Sequence, residues 1–139
     1  MVAISLSIFK DKLLSGEKDQ TIRPFSEYRW KQLLKAKEGK LRLQIYWKQR
    51  TKECEKLFDA EIMDLFVMDL FPDTFVASDP NSDDWRMLTI EEDDELAIRD
   101  GFCCHDELLD WLFDKYGDAV FTMRFIVIRF KRVDEYAKK

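Results

Sequence analysis

Gly16-Glu17-Lys18-Asp19-Gln20-Thr21-Ile22-Arg23-Pro24-Phe25 reads as a turn running into a short strand. Gly16 frees the backbone to bend. Pro24, which has no amide hydrogen to give a ladder, closes the strand. Alternation along an extended Gln20 to Arg23 points Thr21 and Arg23 to one face. Lys18 comes before that alternation and folds back from the turn toward Thr21. An amine, a hydroxyl and a guanidinium then share one small volume.

Upstream, Ile4, Leu6 and Ile8 alternate with small or polar residues, which predicts a strand over 3–8. Residues 9–15 read as a short helical turn stopped by Gly16. Downstream, Ser26 has the chemistry of an N-cap for a helix carrying Trp30, Leu33 and Leu34 and ending at Gly39. A strand over 40–47 sets Leu41, Leu43, Ile45 and Trp47 against Arg42, Gln44 and Tyr46. A second strand spans 58–70 and bends near Asp64. Residues 72–84 read as loop, with a turn cluster at 79–84. The segment 85–90 is a short strand or an ordered loop.

A helix over 91–99 starts acidic and stops at Gly101. Another over 106–116 carries a stripe of Leu108, Leu109, Leu112, Phe113 and Tyr116 and ends at Gly117. The final strand, 120–133, is apolar on both faces at Phe125, Ile126, Val127 and Ile128, so its centre is buried on both sides. Five or six strands, interrupted irregularly by short helices, predict an α+β fold with a small β-barrel or strongly curved sheet. With no repeat and no interior linker, residues 1–139 form a single domain.

Charge is unevenly spread. Residues 1–60 hold 14 Lys and Arg against 8 Asp and Glu, residues 61–123 hold 3 against 18, and residues 124–139 hold 6 against 2. The net charge of −5 argues against a polyanion binder held by bulk charge. A basic first half folded against a basic last strand still offers a local anion site. No apolar run approaches the roughly 20 residues of a membrane helix. Three cysteines, two of them adjacent, make no disulfide framework. With no leader-like segment at the start, a cytoplasmic location and no membrane partner are expected.

The order Gly16-Glu17-Lys18, Thr21-Ile22-Arg23-Pro24, Lys40-Leu41-Arg42-Leu43 and Tyr46-Trp47 resembles the ASCH domain family, named for activating signal cointegrator homology. Ala97-Ile98-Arg99-Asp100-Gly101-Phe102, Glu107-Leu108, Tyr116-Gly117 and the closing Phe125 to Phe130 extend the likeness over nearly the whole chain. The resemblance implies a PUA-like barrel with a cleft, and RNA or a modified nucleoside as partner. It also implies two possible activities, hydrolysis of N4-acetylcytidine and RNA cleavage. In the family's amidohydrolases a Lys and a Thr of this motif work with a downstream Glu. Lys18 and Thr21 match; the Glu position falls on Asp100, one methylene shorter. Residues 72–84 look like an insertion relative to compact members.

The catalytic set implied is therefore Lys18 as base, Thr21 as nucleophile and Asp100 assisting. A threonine hydroxyl needs such a base to be nucleophilic. The alternative is a surface ion pair between Lys18 and Asp100, with Thr21 packed in a strand. For binding, Lys18, Arg23, Tyr46, Lys48 and Arg50 offer cations and an aromatic face suited to a nucleotide; against this, Trp47 between them reads as core. Cys103-Cys104-His105 does not supply the three or four converging ligands of a zinc site. The run Glu91 to Glu95 fits an exposed helix start rather than a calcium loop. No metal and no cofactor is expected. Binding is the first reading, amide hydrolysis the second and RNA cleavage the third, because the single His lies outside the cleft.

Overall fold

The computed structural model describes residues 2–39, 42–72, 74–78 and 85–133. Strands β1 (Val2–Leu6), β2 (Gln20–Pro24), β3 (Leu43–Trp47), β4 (Glu55–Leu70), β5 (Phe75–Ser78), β6 (Arg86–Met87) and β7 (Arg124–Val133) form one mixed sheet. Helices α1 (Lys10–Ser15), α2 (Glu27–Lys37), α3 (Ile90–Arg99) and α4 (His105–Tyr116) flank it. The sheet is curled into a half-barrel in an α+β fold. No helix among the described residues is long and apolar enough to cross a membrane.

β4 and β7 are the spine. They pair antiparallel from Asp59–Val133 to Asp69–Arg124. β7 carries β2 on its other side, antiparallel. β3 pairs antiparallel with the first half of β4, and β1 adds to β3 in parallel. β5 and β6 extend the other end of β4. One run of the sheet is thus β1-β3-β4-β7-β2, and its terminal strands β1 and β2 are not paired with each other.

The expected bend of the second long strand is a β-bulge: the β4–β7 register shifts between Ile62 and Asp64. Met63 is turned out to solvent there, and the Asp64 carboxylate accepts from the Leu65 amide at 2.9 Å. An extra residue in one strand bends it and raises its twist, which curls the sheet. Phe125 to Ile128 are fully buried, because each face of β7 meets a different core. Ile126, Ile128 and Phe130 join Ile4, Ile45, Trp30 and Leu33 under α2. Phe125 and Val127 join Ile22, Met68, Leu96 and Leu112 under α3 and α4.

Several expectations are corrected. Phe75–Ser78, expected as loop, is strand β5, paired with Val67 to Leu70 of β4; residues 79–84 and Lys40 and Leu41 lie outside the described residues. β7 begins at Arg124 rather than at 120, because Gly117–Phe121 is a 3-10 turn that buries Val120. The described residues form seven strands, β6 being only two residues long, where about five or six are expected. The acidic start of α3 is not simply solvated. Glu92 completes a capping box with Thr89. Asp93 is buried and accepts from Thr74 Oγ1 at 3.0 Å and Phe75 N at 3.3 Å, holding β5 to α3. Ser26 caps α2 as expected, accepting from the Arg29 amide at 3.1 Å.

Candidate functional site

The loop between α1 and β2 is stitched to the end of α3. Asp19 N donates to Arg99 O at 3.0 Å, and Lys12 Nζ donates to Gly101 O at 2.6 Å. Between them Lys18 Nζ donates to Asp100 O at 2.5 Å and stands 3.4 Å from its carboxylate. The ion pair is therefore not on the surface: Lys18 is 2 % exposed and Asp100 4 %. Asp100 sits at this place because α3 ends on it and Gly101 follows in the left-handed region, at φ 103°. Gln20 fixes the carboxylate from the other side. Its Nε2 donates to Leu96 O at 2.9 Å and Asp100 Oδ1 at 3.3 Å, while its Oε1 accepts from Arg129 Nε at 3.0 Å.

Thr21 and Arg23 share a face of β2, opposite Ile128 and Ile126 of β7. The Arg23 guanidinium donates to Ser5 O, bridging β2 to β1. Its Nε is buried with no hydrogen-bond partner among the described residues. Between the edges of β1 and β2 lies a slit of about 50 Å³, lined by Ser5, Ser7, Lys18, Thr21, Arg23 and Asp100 and closed by Trp111 and Lys115 of α4. That volume has room for a few waters or for a substituent of a few heavy atoms. A whole base does not fit unless the strand edges part.

Burial is the largest influence on the charges. It pushes the Lys18 amine below the ordinary lysine range; Arg23 acts in the same direction, and Asp100 opposes. It pushes the Asp100 carboxyl above the ordinary range, against Lys18 and the Gln20 hydrogen bond. It also lowers Arg23, with Arg29 adding to the effect. A buried amine of lowered pKa beside a hydroxyl has the chemistry of a general base. An unpartnered guanidinium N–H is a donor for a carbonyl or an oxyanion.

The structure brings together Lys18, Thr21, Arg23 and Asp100. Tyr46, Lys48 and Arg50 do not line the slit. Tyr46 OH donates to Gln44 Oε1 at 3.2 Å, Lys48 Nζ pairs with Glu53 at 2.8 Å, and Arg50 is exposed in a turn at φ 70°. Gln49 is also exposed and meets β1 through its backbone. Its amide donates to Ser5 Oγ at 2.9 Å, and it lines a hollow of about 210 Å³ that shares Ser5 and Arg23 with the slit. Trp47 is half-buried, with the amines of Lys10 and Lys48 5.8 and 5.6 Å from its ring centre.

Ser5, Gln20, Trp111 and Lys115 are site residues that the sequence reading missed. Trp111 and Lys115 carried a signal: at i and i+4 they share a helix face, and the Lys115 amine lies 4.8 Å from the Trp111 ring centre. Gln20 carried none. Cys103 and Cys104 hold their sulfurs 3.5 Å apart, Cys103 Sγ donating to Glu107 Oε2 at 3.0 Å, and Cys54 is exposed elsewhere. Among the described residues no three of His, Cys, Asp and Glu converge as metal ligands. His105 packs on Phe75, ring centres 4.5 Å apart, outside the slit.

Compared with protein-family models, with curated proteins and with solved structures, the chain gives no match.

Proposed function

We propose that the chain is an ASCH-type, PUA-like domain whose slit receives the modified group of a nucleoside, free or within RNA. The observation that carries this is the fully buried Lys18–Asp100 pair beside Thr21 and the unpartnered Arg23 N–H, all on one cavity. Burying an ion pair is an expensive way to hold a fold, and perturbed charges in a cleft are characteristic of functional sites. The half-barrel is compatible with the small β-barrel that the resemblance implies. The small volume selects for a compact substituent such as an acetyl group, with the base held at the mouth between β1 and α4.

Amide hydrolysis is the second reading, favoured by the lowered pKa of Lys18. In that mechanism neutral Lys18 takes the Thr21 hydroxyl proton as Thr21 Oγ attacks the acyl carbon. The Arg23 N–H faces the developing oxyanion. The proton passes to the leaving exocyclic nitrogen, and water then releases the acyl group from Thr21. Asp100 orients the amine; its backbone carbonyl, at 2.5 Å, grips Lys18 more closely than its carboxylate at 3.4 Å. RNA cleavage by a histidine acid–base pair has no support in the slit, since His105 is elsewhere.

The test is N4-acetylcytidine offered to the wild type and to Thr21→Ala, with binding followed by calorimetry and cytidine release by chromatography. Turnover lost in Thr21→Ala, with binding kept, supports the hydrolase. Binding without turnover supports the recognition module. Neither binding nor turnover by the folded wild type, with the free nucleoside or within an oligonucleotide, overturns the proposal.

A further inference from the structure

β7 outruns β2. Their ladder ends at Gln20–Arg129, whereas β7 continues to Val133 beside β4. On the vacated side, Phe130 N donates to Asp19 O at 2.9 Å. The space left between the end of α1, the β4 bulge and the tail of β7 is a groove of about 610 Å³, against about 50 Å³ for the slit. Five cations line it, Lys18, Arg99, Arg129, Lys131 and Arg132, with Asp19 the one acid among its lining residues. This concentration stands out in a chain of net charge −5.

The cations are of two kinds. Arg99 is held by Asp19 and Glu95 at 3.3 and 3.2 Å, and Arg129 by Gln20, with Asp64 at 3.9 Å. Their guanidinium planes are fixed in the wall. Lys131 and Arg132 form no ion pair among the described residues, although Glu61 of β4 stands opposite Lys131 in the ladder; the Arg132 guanidinium rests 5.3 Å from the Phe58 ring centre. Leu14 and Met63, 44 % and 58 % exposed, add apolar surface. Lys18 lines both the groove and the slit, so the two cavities share a wall.

We propose that this groove carries the sugar–phosphate backbone of a single-stranded RNA whose modified nucleoside places its modifying group in the slit. The inference rests on the reading of the slit as a nucleoside site, and it makes RNA rather than the free nucleoside the natural ligand. A groove with several cations and some apolar surface is how single strands are followed without reading their sequence. The strand is single because a base stacked in a duplex cannot present its modifying group to a slit.

The experiment titrates wild type and the double variant Lys131→Gln/Arg132→Gln with three probes: free N4-acetylcytidine, an oligoribonucleotide containing one N4-acetylcytidine, and the same oligoribonucleotide unmodified. Both side chains are exposed, and circular dichroism checks that the variant folds. The modified oligonucleotide should bind the variant about tenfold or more weaker. The slope of log K against log salt should fall by about 1.4, for two phosphate contacts on a single strand. Free-nucleoside affinity should not change. Oligonucleotide affinity equal in variant and wild type, or no oligonucleotide binding at all, overturns the groove. Oligonucleotide binding that depends on Lys131 and Arg132 but not on the modification upholds the groove and overturns the nucleoside reading of the slit.

Discussion

Lys18 and Asp100 are each disfavoured as ions by burial and each rescued by the other. That coupling separates a structural pair from a functional one. Lys18→Met leaves a buried carboxylate without its cation, and breaking a buried pair from one side costs about 3–5 kcal/mol. Lys18→Met with Asp100→Asn removes both charges and keeps the bond to Gln20, so its stability should lie within about 1 kcal/mol of wild type or above it, because apolar replacement of a buried pair is often neutral or better. Urea denaturation of the three proteins decides this; a double variant as unstable as Lys18→Met alone would refute it. The single variant has a pH signature with a definite sign. Without Lys18 the Asp100 pKa in the folded state rises further above its unfolded value. The folded state then binds more protons than the unfolded state across that interval, and stability falls as pH rises through it. Lys18→Met should therefore lose less, relative to wild type, in mildly acidic solution than at neutral pH.

The corner after α3 is the element that sets Asp100. Gly101 is in the left-handed region, and a Cβ there would lie 2.5 Å from Phe9 Cδ2. Phe9 is itself left-handed, at φ 61°, and meets Phe102 edge-on with ring centres 5.1 Å apart. Gly39 has a similar φ of 83° with nothing within 4 Å. Gly39→Ala should cost about 1 kcal/mol of conformational strain. Gly101→Ala should cost about 2–3 kcal/mol more through overpacking, measured as the difference in unfolding free energy between the two variants. Equal costs would mean that Phe9 yields. This corner also shows where the sequence is legible. Gly101 ends α3 by its chemistry alone, and Lys18, Thr21 and Arg23 follow from a turn and a period of two. Asp100 was reachable only through a resemblance, because nothing local ties it to Lys18, 82 residues away. Gln20 and Ser5 enter the site through tertiary hydrogen bonds that no spacing announces. Strand β5 was hidden because four residues between turn signals carry too little pattern; pairing with β4 and the Asp93 anchor make it. The start of β7 was misread because Val120 is apolar at strand period, yet it is buried by a 3-10 turn. The Thr89–Glu92 capping box was visible as a Thr-x-x-Glu spacing and passed over.

Two cores share β4 and β7, whose central residues Val67, Met68 and Phe125 to Ile128 are fully buried. The terminal strands β1 and β2 are joined across the slit by the Arg23 guanidinium on Ser5 O. The half-barrel thus has a spine buried on both faces and an edge held by a side-chain bridge, and amide hydrogen exchange should separate them, since local openings range in free energy from near zero to that of global unfolding. In the wild type, amides of β7 from Phe125 to Ile128 should exchange only through global unfolding, and those of β1 through a smaller opening. Arg23→Met removes the bridge while keeping an apolar side chain of useful length. It should speed exchange in β1 about tenfold and leave the ratio of spine exchange to global stability unchanged. The same substitution deletes the unpartnered donor, so nucleoside affinity should fall even though the slit opens more readily. Faster exchange spread uniformly over all strands would show instead that Arg23 supports the whole fold and that the slit has no hinge at this edge.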